Sequence, residues 1–313
     1  MTVAVLAAVA GGAALGARHV YTMPGPLAEA RDVVVPRAGT PRVAKALHAA
    51  RVIGTQLAFR LAMLATVRAG PIHAAELAFP AHASLREVLT ILRTARPVEH
   101  RLTIPEGLTA RQITALLAHA EALTGSADVS AEGVLLPQTY AYEYGATRAQ
   151  LLARAAAAQA QALATAWAGR APNLPPASPR DAVILASIVE RETANPEERA
   201  HIAAVLLNRL RLRMRLQADS TVVYAASDGL GVLDHPLTRA ELELDSPYNT
   251  YRMKGLPPGP ICAPGLASLN AVLHPMVSDD LYFVADGTGG HVFARTLAQH
   301  DVNVKRWRSL EPR

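Results

Sequence analysis

Two glutamates close an apolar run, "ILASIVERET" (Ile184–Thr193), and they are the best candidates in this chain for acid–base chemistry. A carboxyl group is costly to bury unless it is paired or put to use. From Ala182 to Val189 only Ser187 is polar, so the segment reads as a helix buried on most sides. Glu190 and Glu192 are two residues apart, about 200° around such a helix, and cannot share a face. Glu192 continues the Leu185–Ile188–Val189 stripe, whereas Glu190 shares the side of Val183 and Ala186. Helical spacing alone therefore leans towards Glu192 as the buried carboxyl.

The surrounding elements follow from local signals. Ser178-Pro179 opens the glutamate helix with a cap and a first-turn proline. Asn195-Pro196 opens a second helix in the same way, with Glu197 and Glu198 at the positive end of its dipole. Ile202, Val205, Leu206 and Leu210 form the apolar face of that helix, and Asn208 and Arg209 stand where a polar side meets a ligand. "LELDSPYNTYRMKGLPPGPICAPGLASL" gathers rigid turns, rings and amides, including Tyr248, Asn249 and Tyr251, the side-chain types that hold sugars. "LYFVADGTGGHVFA" reads as a β-hairpin around a Gly-rich turn, with His291 directly after Gly290.

Three copies of one small unit precede this region. Pro36, Pro80 and Pro105 each end a β-rich run. Each is followed four residues later by Thr40, Ser84 or Thr109, and then by apolar residues at +8 and +11. The hydroxyls are expected to cap helices, Ser84 with Glu87 and Thr109 with Gln112 as capping boxes. "GVLLPQTYAYEYG" (133–145) is Tyr-rich and expected to pack between modules. Residues 148–170 have strong helix propensity, and the Pro-rich stretch 171–180 marks a boundary.

Composition narrows the class. The chain has 313 residues, 50% of them hydrophobic and 18% charged, which excludes a disordered chain. Net charge is +5, but only Lys45, Lys254 and Lys305 are lysines and aromatics make up 4%, so no aromatic-plus-basic stripe points to nucleic acid. Cys262 is the single cysteine, and the eleven histidines lack helical zinc spacing. Neither a P-loop nor a GxGxxG run occurs, so no metal or cofactor is expected. Residues 2–17 carry no charge but fall short of the about 20 apolar residues that a span needs. Reaching that length through Tyr21 and Met23 includes Arg18. Residues 1–23 are read as a membrane anchor.

Four blocks, "ILASIVERET", "VLLNRLRLRMRLQADSTVVYA", "SPYNTYRMKGLPPGPICAPGLASL" and "LYFVADGTGGHVFARTLAQH", resemble in order the signature blocks of the endolytic murein transglycosylases, the YceG-like family. "EGVLLPQTY" (132–140) is similar to a further block of that family, and the repeats at 33–120 are more weakly similar to its LysM-like membrane-proximal region. The resemblance implies an α+β chain: an anchor (1–23), LysM-like α/β units (33–125), a linker and helix (126–177), and a catalytic domain of helices and a β-hairpin (178–313). It implies a single-pass protein of the bacterial inner membrane facing the periplasm, acting on nascent peptidoglycan strands beside the polymerases (penicillin-binding proteins). The reaction implied is cleavage of the β-1,4 bond after N-acetylmuramic acid, leaving 1,6-anhydro ends.

By the resemblance the catalytic residue is Glu190, against the lean of helical spacing. Asn208, Gln217, Thr221, Tyr248, Asn249, Tyr251 and His291 are implied cleft residues, with Glu192 and Arg209 in support. A single carboxyl giving and then retaking a proton benefits from a raised pKa, which apolar neighbours supply. Ser220 stands where the family usually has proline, and Ala263 where Asn is common. Two other readings stay open. A water-using muramidase needs a second carboxylate, Asp219 or Asp245; a non-catalytic glycan-binding scaffold needs none.

Overall fold

The structure, a computed structural model, describes residues 2–310; residue 1 and residues 311–313 of the expected outer segments lie outside it. The chain divides into two compact units, residues 1–101 with 141–146, and residues 102–140 with 147–313. The Pro-rich stretch 171–180 lies within the second unit.

The first unit runs α1 (Thr2–Thr22), β1 (Arg31–Val34), α2 (Thr40–Ala49), α3 (Gln56–Ala65), β2 (Glu76–Phe79) and α4 (Leu85–Thr94). β1 and β2 pair antiparallel, Val33 opposite Leu77. The first two sequence repeats thus share one sheet through a β–α–α–β order. Leu47, Phe59, Leu77, Leu89 and Leu92 are fully buried in its core. Arg93 ties α4 to the end of α3, reaching the Thr66 carbonyl (3.1 Å) and hydroxyl (2.8 Å) and the Gly70 carbonyl (3.1 Å).

The repeat physics holds in two copies and fails in one. Ser84 caps α4 with Glu87 reciprocating, and Thr109 caps the next helix with Gln112. In the first copy Gly39 is the N-cap, no side chain caps the helix, and Thr40 is already helical. The anchor expected at 1–23 forms α1, but among the described residues no helix is long and apolar enough to cross a membrane. Gly11, Gly12 and Gly16 carry no side chain, and Arg18 and His19 interrupt the run.

The chain passes between the units within β3 (Glu99–Thr103), which pairs with β4 (Thr139–Glu143). The Tyr-rich stretch is therefore a strand, with Tyr140 and Tyr142 buried on alternate positions. The second unit continues with α5 (Ala110–Ala118), α6 (Arg148–Ala168), α7 (Pro179–Glu192), α8 (Arg199–Arg211), α9 (Asp219–Ala226), α10 (Arg239–Leu242) and α11 (Leu266–Leu273). It closes with β5 (Tyr282–Ala285), β6 (His291–Ala294) and α12 (Leu297–Leu310). α7, α8 and α11 pack together around Leu185, Ile188, Ile202, Leu206 and Val272. α7 opens as its sequence predicts, with a Ser178–Asp181 capping box. The β5–β6 hairpin also forms, Phe283 opposite Phe293. Its turn folds on Asp286, whose Oδ1 accepts from the Thr288 and Gly290 amides.

α8 starts later than expected. The Asn195 side chain accepts from the Glu197 amide in a local turn, and the helix begins at Arg199 after an uncapped Glu198. The Glu198 carboxylate is engaged by His291 instead.

The difference between the repeats gives a direct test. Thr109→Ala should lower stability by about 1 kcal/mol through loss of the cap, with a similar loss for Ser84→Ala. Thr40→Ala should change it by less than about 0.5 kcal/mol. Urea midpoints of the three variants check this.

Candidate active site

All eight residues from Ala182 to Val189 are buried, so α7 delivers both glutamates out of a core helix. Helical spacing could not separate them because every side of α7 is covered. The two carboxyl groups instead meet different surroundings.

The Glu190 side chain is 6% exposed. Its Oε2 accepts from the Gly265 amide (2.9 Å), and its Oε1 faces Arg199 Nη2 (3.5 Å). Arg199 also approaches Glu106 Oε2 (3.9 Å). Burial raises the Glu106 pKa and the Glu190 charge raises it further, against the pull of Arg199. The apolar run before Glu190 packs into the core; the carboxyl itself is met by a guanidinium and an amide. That corrects the expectation that apolar neighbours would surround it.

The loop that supplies the Gly265 amide is pinned through its backbone. Ser187, buried within α7, accepts from the Ile261 amide (3.0 Å), and Cys262 Sγ donates to the Ser187 carbonyl (3.3 Å). Ala263 exchanges backbone hydrogen bonds with Gly107 (2.9 Å) and Leu108 (2.8 Å). A side chain at 265 would meet the Glu106 carboxylate and oblige it to move. The Ala263 side chain is buried and its position works through main-chain atoms. That accommodates the departure from Asn.

Glu192 faces a second group. Ser220 Oγ donates to its Oε1 at 2.6 Å. Burial is the main cause of its raised pKa; the nearby Asp219 charge adds to this, while the Ser220 bond and His291 oppose it. Ser220 lies in the first turn of α9, and both its hydroxyl and its backbone N–H reach Glu192, donors that proline would lack. Tyr251 donates to Asp219 Oδ1 at 2.5 Å. Arg209, 7% exposed, spans this side. It donates to the Leu281 (2.6 Å) and Leu216 (2.8 Å) carbonyls and to Gln217 Oε1 (3.4 Å), beneath the Tyr282 ring. Gln217 is itself left-handed, at φ 51°.

The remaining predicted residues make contacts within the protein. Asn208 donates to the Ser278 (2.8 Å) and Asp280 (3.1 Å) carbonyls, fastening the loop before β5 to α8. Asn249, fully buried, donates to the Leu242 (3.0 Å) and Leu244 (2.8 Å) carbonyls. Thr221 and Thr250 share a buried hydroxyl pair at 2.9 Å. Tyr248 packs on Tyr224, whose hydroxyl reaches Glu132 (3.4 Å). His291 Nδ1 meets Glu198 Oε2 at 2.7 Å. Burial pushes the Glu198 carboxyl up, but its bonds from His291 outweigh this and hold it low.

The structure thus brings Glu192, Arg209, Gln217 and Tyr251 together with Asp219 and Ser220. It surrounds Glu190 with three residues that sequence reasoning missed: Glu106, Arg199 and Gly265. One signal was present. The third repeat alone follows its proline with Glu-Gly (Pro105-Glu106-Gly107), where the others have Arg-Ala and Ala-His.

A carboxyl whose native pKa is raised binds its proton more tightly folded than unfolded. It costs nothing below the usual glutamate value of 4.5 and destabilises progressively as pH rises above it. Glu192→Gln should therefore stabilise the protein at neutral pH and leave it unchanged in acid below that value. Thermal melts across pH check this.

The sequence matches the YceG-like family over residues 33–306. The endolytic murein transglycosylase of Bacillus subtilis (strain 168) is 37% identical over 170 residues, 54% of this chain and 46% of that protein. The endolytic murein transglycosylase of Streptococcus pneumoniae serotype 2 (strain D39) is 36% identical over 180 residues, 55% of this chain and 31% of that protein. These matches span less than half the length of either relative. The crystal structure of a putative yceG-like protein from Listeria monocytogenes superposes with a TM-score of 0.54 at 26% identity, covering 88% of this chain and 98% of the other. With the family match running through both units, from β1 into α12, this chain belongs to the YceG-like family.

Proposed function

We propose that this chain is an endolytic murein transglycosylase with Glu190 as its single acid–base residue. The observation that carries the reading is the Glu190 carboxyl, nearly buried at the end of α7 and fixed by the Gly265 amide and Arg199. Protonated Glu190 gives its proton to the glycosidic oxygen as the C1–O bond of N-acetylmuramic acid breaks. The substrate's acetamido group stabilises the positive charge that develops at C1. The C6 hydroxyl of the same sugar then attacks C1, and Glu190 takes the hydroxyl proton back. A 1,6-anhydro end forms, no water is consumed, and the scheme needs no metal or cofactor. Holding the carboxyl in one orientation serves both transfers, since donor and acceptor must stay within hydrogen-bond reach.

In this reading Gln217, Tyr251 and His291 belong to the glycan-binding side, and Asn208, Thr221 and Asn249 act by holding the loops that carry it. Tyr248 offers a ring to a sugar, and Glu192 and Arg209 support the α7–α9 side from within. The β–α–α–β order of the first unit supports reading it as LysM-like, a module for glycan strands. We place the protein at the periplasmic face of the inner membrane, where nascent strands and their polymerases are its partners.

Glu190→Gln should reduce release of 1,6-anhydro muropeptides from peptidoglycan by about a thousandfold. Mass spectrometry of the products decides between chemistries. A muramidase would give products heavier by one water per cut, and strand binding without cleavage by the wild type would leave a scaffold.

A further inference from the structure

α3 is apolar on two opposite sides. Phe59 is fully buried in the core of the first unit. Leu57, Leu61 and Leu64 lie within about 60° of one another on the other side, and they are 65%, 57% and 72% exposed. Val67, just beyond, is 69% exposed. Scattered surface leucines are ordinary, but a contiguous apolar stripe on a helix marks an interaction surface. It does not stand alone. The C-terminal part of α1 and the outer side of α3 line one groove of about 820 Å³, with Val20, Met23, Leu57 and Leu61 among its walls. Leu15 on α1 is 70% exposed.

Charge says what covers this face. From Val33 to Ala75 the chain has no aspartate or glutamate, while Arg37, Arg42, Lys45, Arg51, Arg60 and Arg68 are all exposed. Arg60 borders the leucine stripe and Arg68 follows it. Exposed leucines flanked by arginines, in a stretch of sequence without acids, have the chemistry of an interfacial helix on anionic lipid. At ten residues α3 is far too short to span a bilayer and is suited to lie in its surface.

We propose that the α1–α3 face of the first unit docks onto an anionic lipid bilayer. The leucines of α3 enter the acyl boundary and Arg60 and Arg68 meet headgroup phosphates. This attachment does not depend on the catalytic reading.

The test is flotation of the full chain with phosphatidylglycerol vesicles and, in parallel, with phosphatidylcholine vesicles. The wild type should float with the former, and less so as salt rises. The triple variant Leu57→Ser, Leu61→Ser, Leu64→Ser should partition about a hundredfold more weakly or worse, since three leucines lose their burial in the acyl boundary. Arg60→Glu with Arg68→Glu, which leaves every buried residue in place, should lose most of the preference for phosphatidylglycerol. Circular dichroism reports whether each variant folds, and if the leucine variant does not, the arginine variant decides. Unchanged partitioning of the folded variants would overturn the proposal, as would equal binding to both lipids. A concentration-dependent dimer abolished by the leucine changes would overturn it in favour of a second copy of the chain.

Discussion

The arrangement of the second unit depends on one costly feature, a helix buried from Ala182 to Val189 that ends in two carboxyl groups. From Ala182 to Val189 α7 has no side facing water, and the Glu190 and Glu192 carboxyl groups that follow are still largely desolvated, while Arg191 between them is exposed. Charged groups there must be met by the protein. Glu190 is met by Arg199 from α8 and by the Gly265 amide, and Glu192 by Ser220 from α9. Three separate elements are therefore placed by the demands of two residues.

The Pro-rich loop 257–265 shows how that demand is met without side-chain chemistry. Its rigidity comes from proline, but its position comes from main-chain bonds to Ser187 on one side and to Gly107 and Leu108 on the other. Only then does the Gly265 amide arrive at Glu190. The segment Pro105–Leu108 opens the third sequence repeat, and it supplies both this backbone partner and the Glu106 carboxyl. A repeat that looks like scaffold in sequence has one copy drawn into the candidate site.

Repeats with the same local physics thus meet different fates. The first two share an antiparallel pair and one core, and the third pairs with β4. Capping follows the same division. Ser84 and Thr109 cap with Glu87 and Gln112 reciprocating, whereas Thr40 lies inside a helix whose N-cap is one residue earlier, at Gly39. Asn195 makes the turn its side chain favours, but α8 waits until Glu198 has been claimed by His291 from a strand 93 residues later. Asn208 and Asn249 likewise bond loop carbonyls, and Thr221 bonds Thr250.

Helix α7 with its Ser178 cap, the long helix after residue 148, the β5–β6 hairpin, two of three repeat caps and the prominence of Glu190 and Glu192 were all legible in the chain. Each rests on spacing or on a bond within a few residues, and such interactions are encoded where they act. The pairing of strands, the division into units, and the meeting of Glu106, Arg199 and Gly265 at Glu190 were not legible. Most of those contacts join residues separated by tens of positions; strand pairing is decided by the burial of apolar residues such as Val33 and Leu77, and the meeting at Glu190 by where a buried charge finds a partner. Sequence alone set two carboxyls at the end of an apolar helix; only the tertiary structure assigned each of them its neighbours.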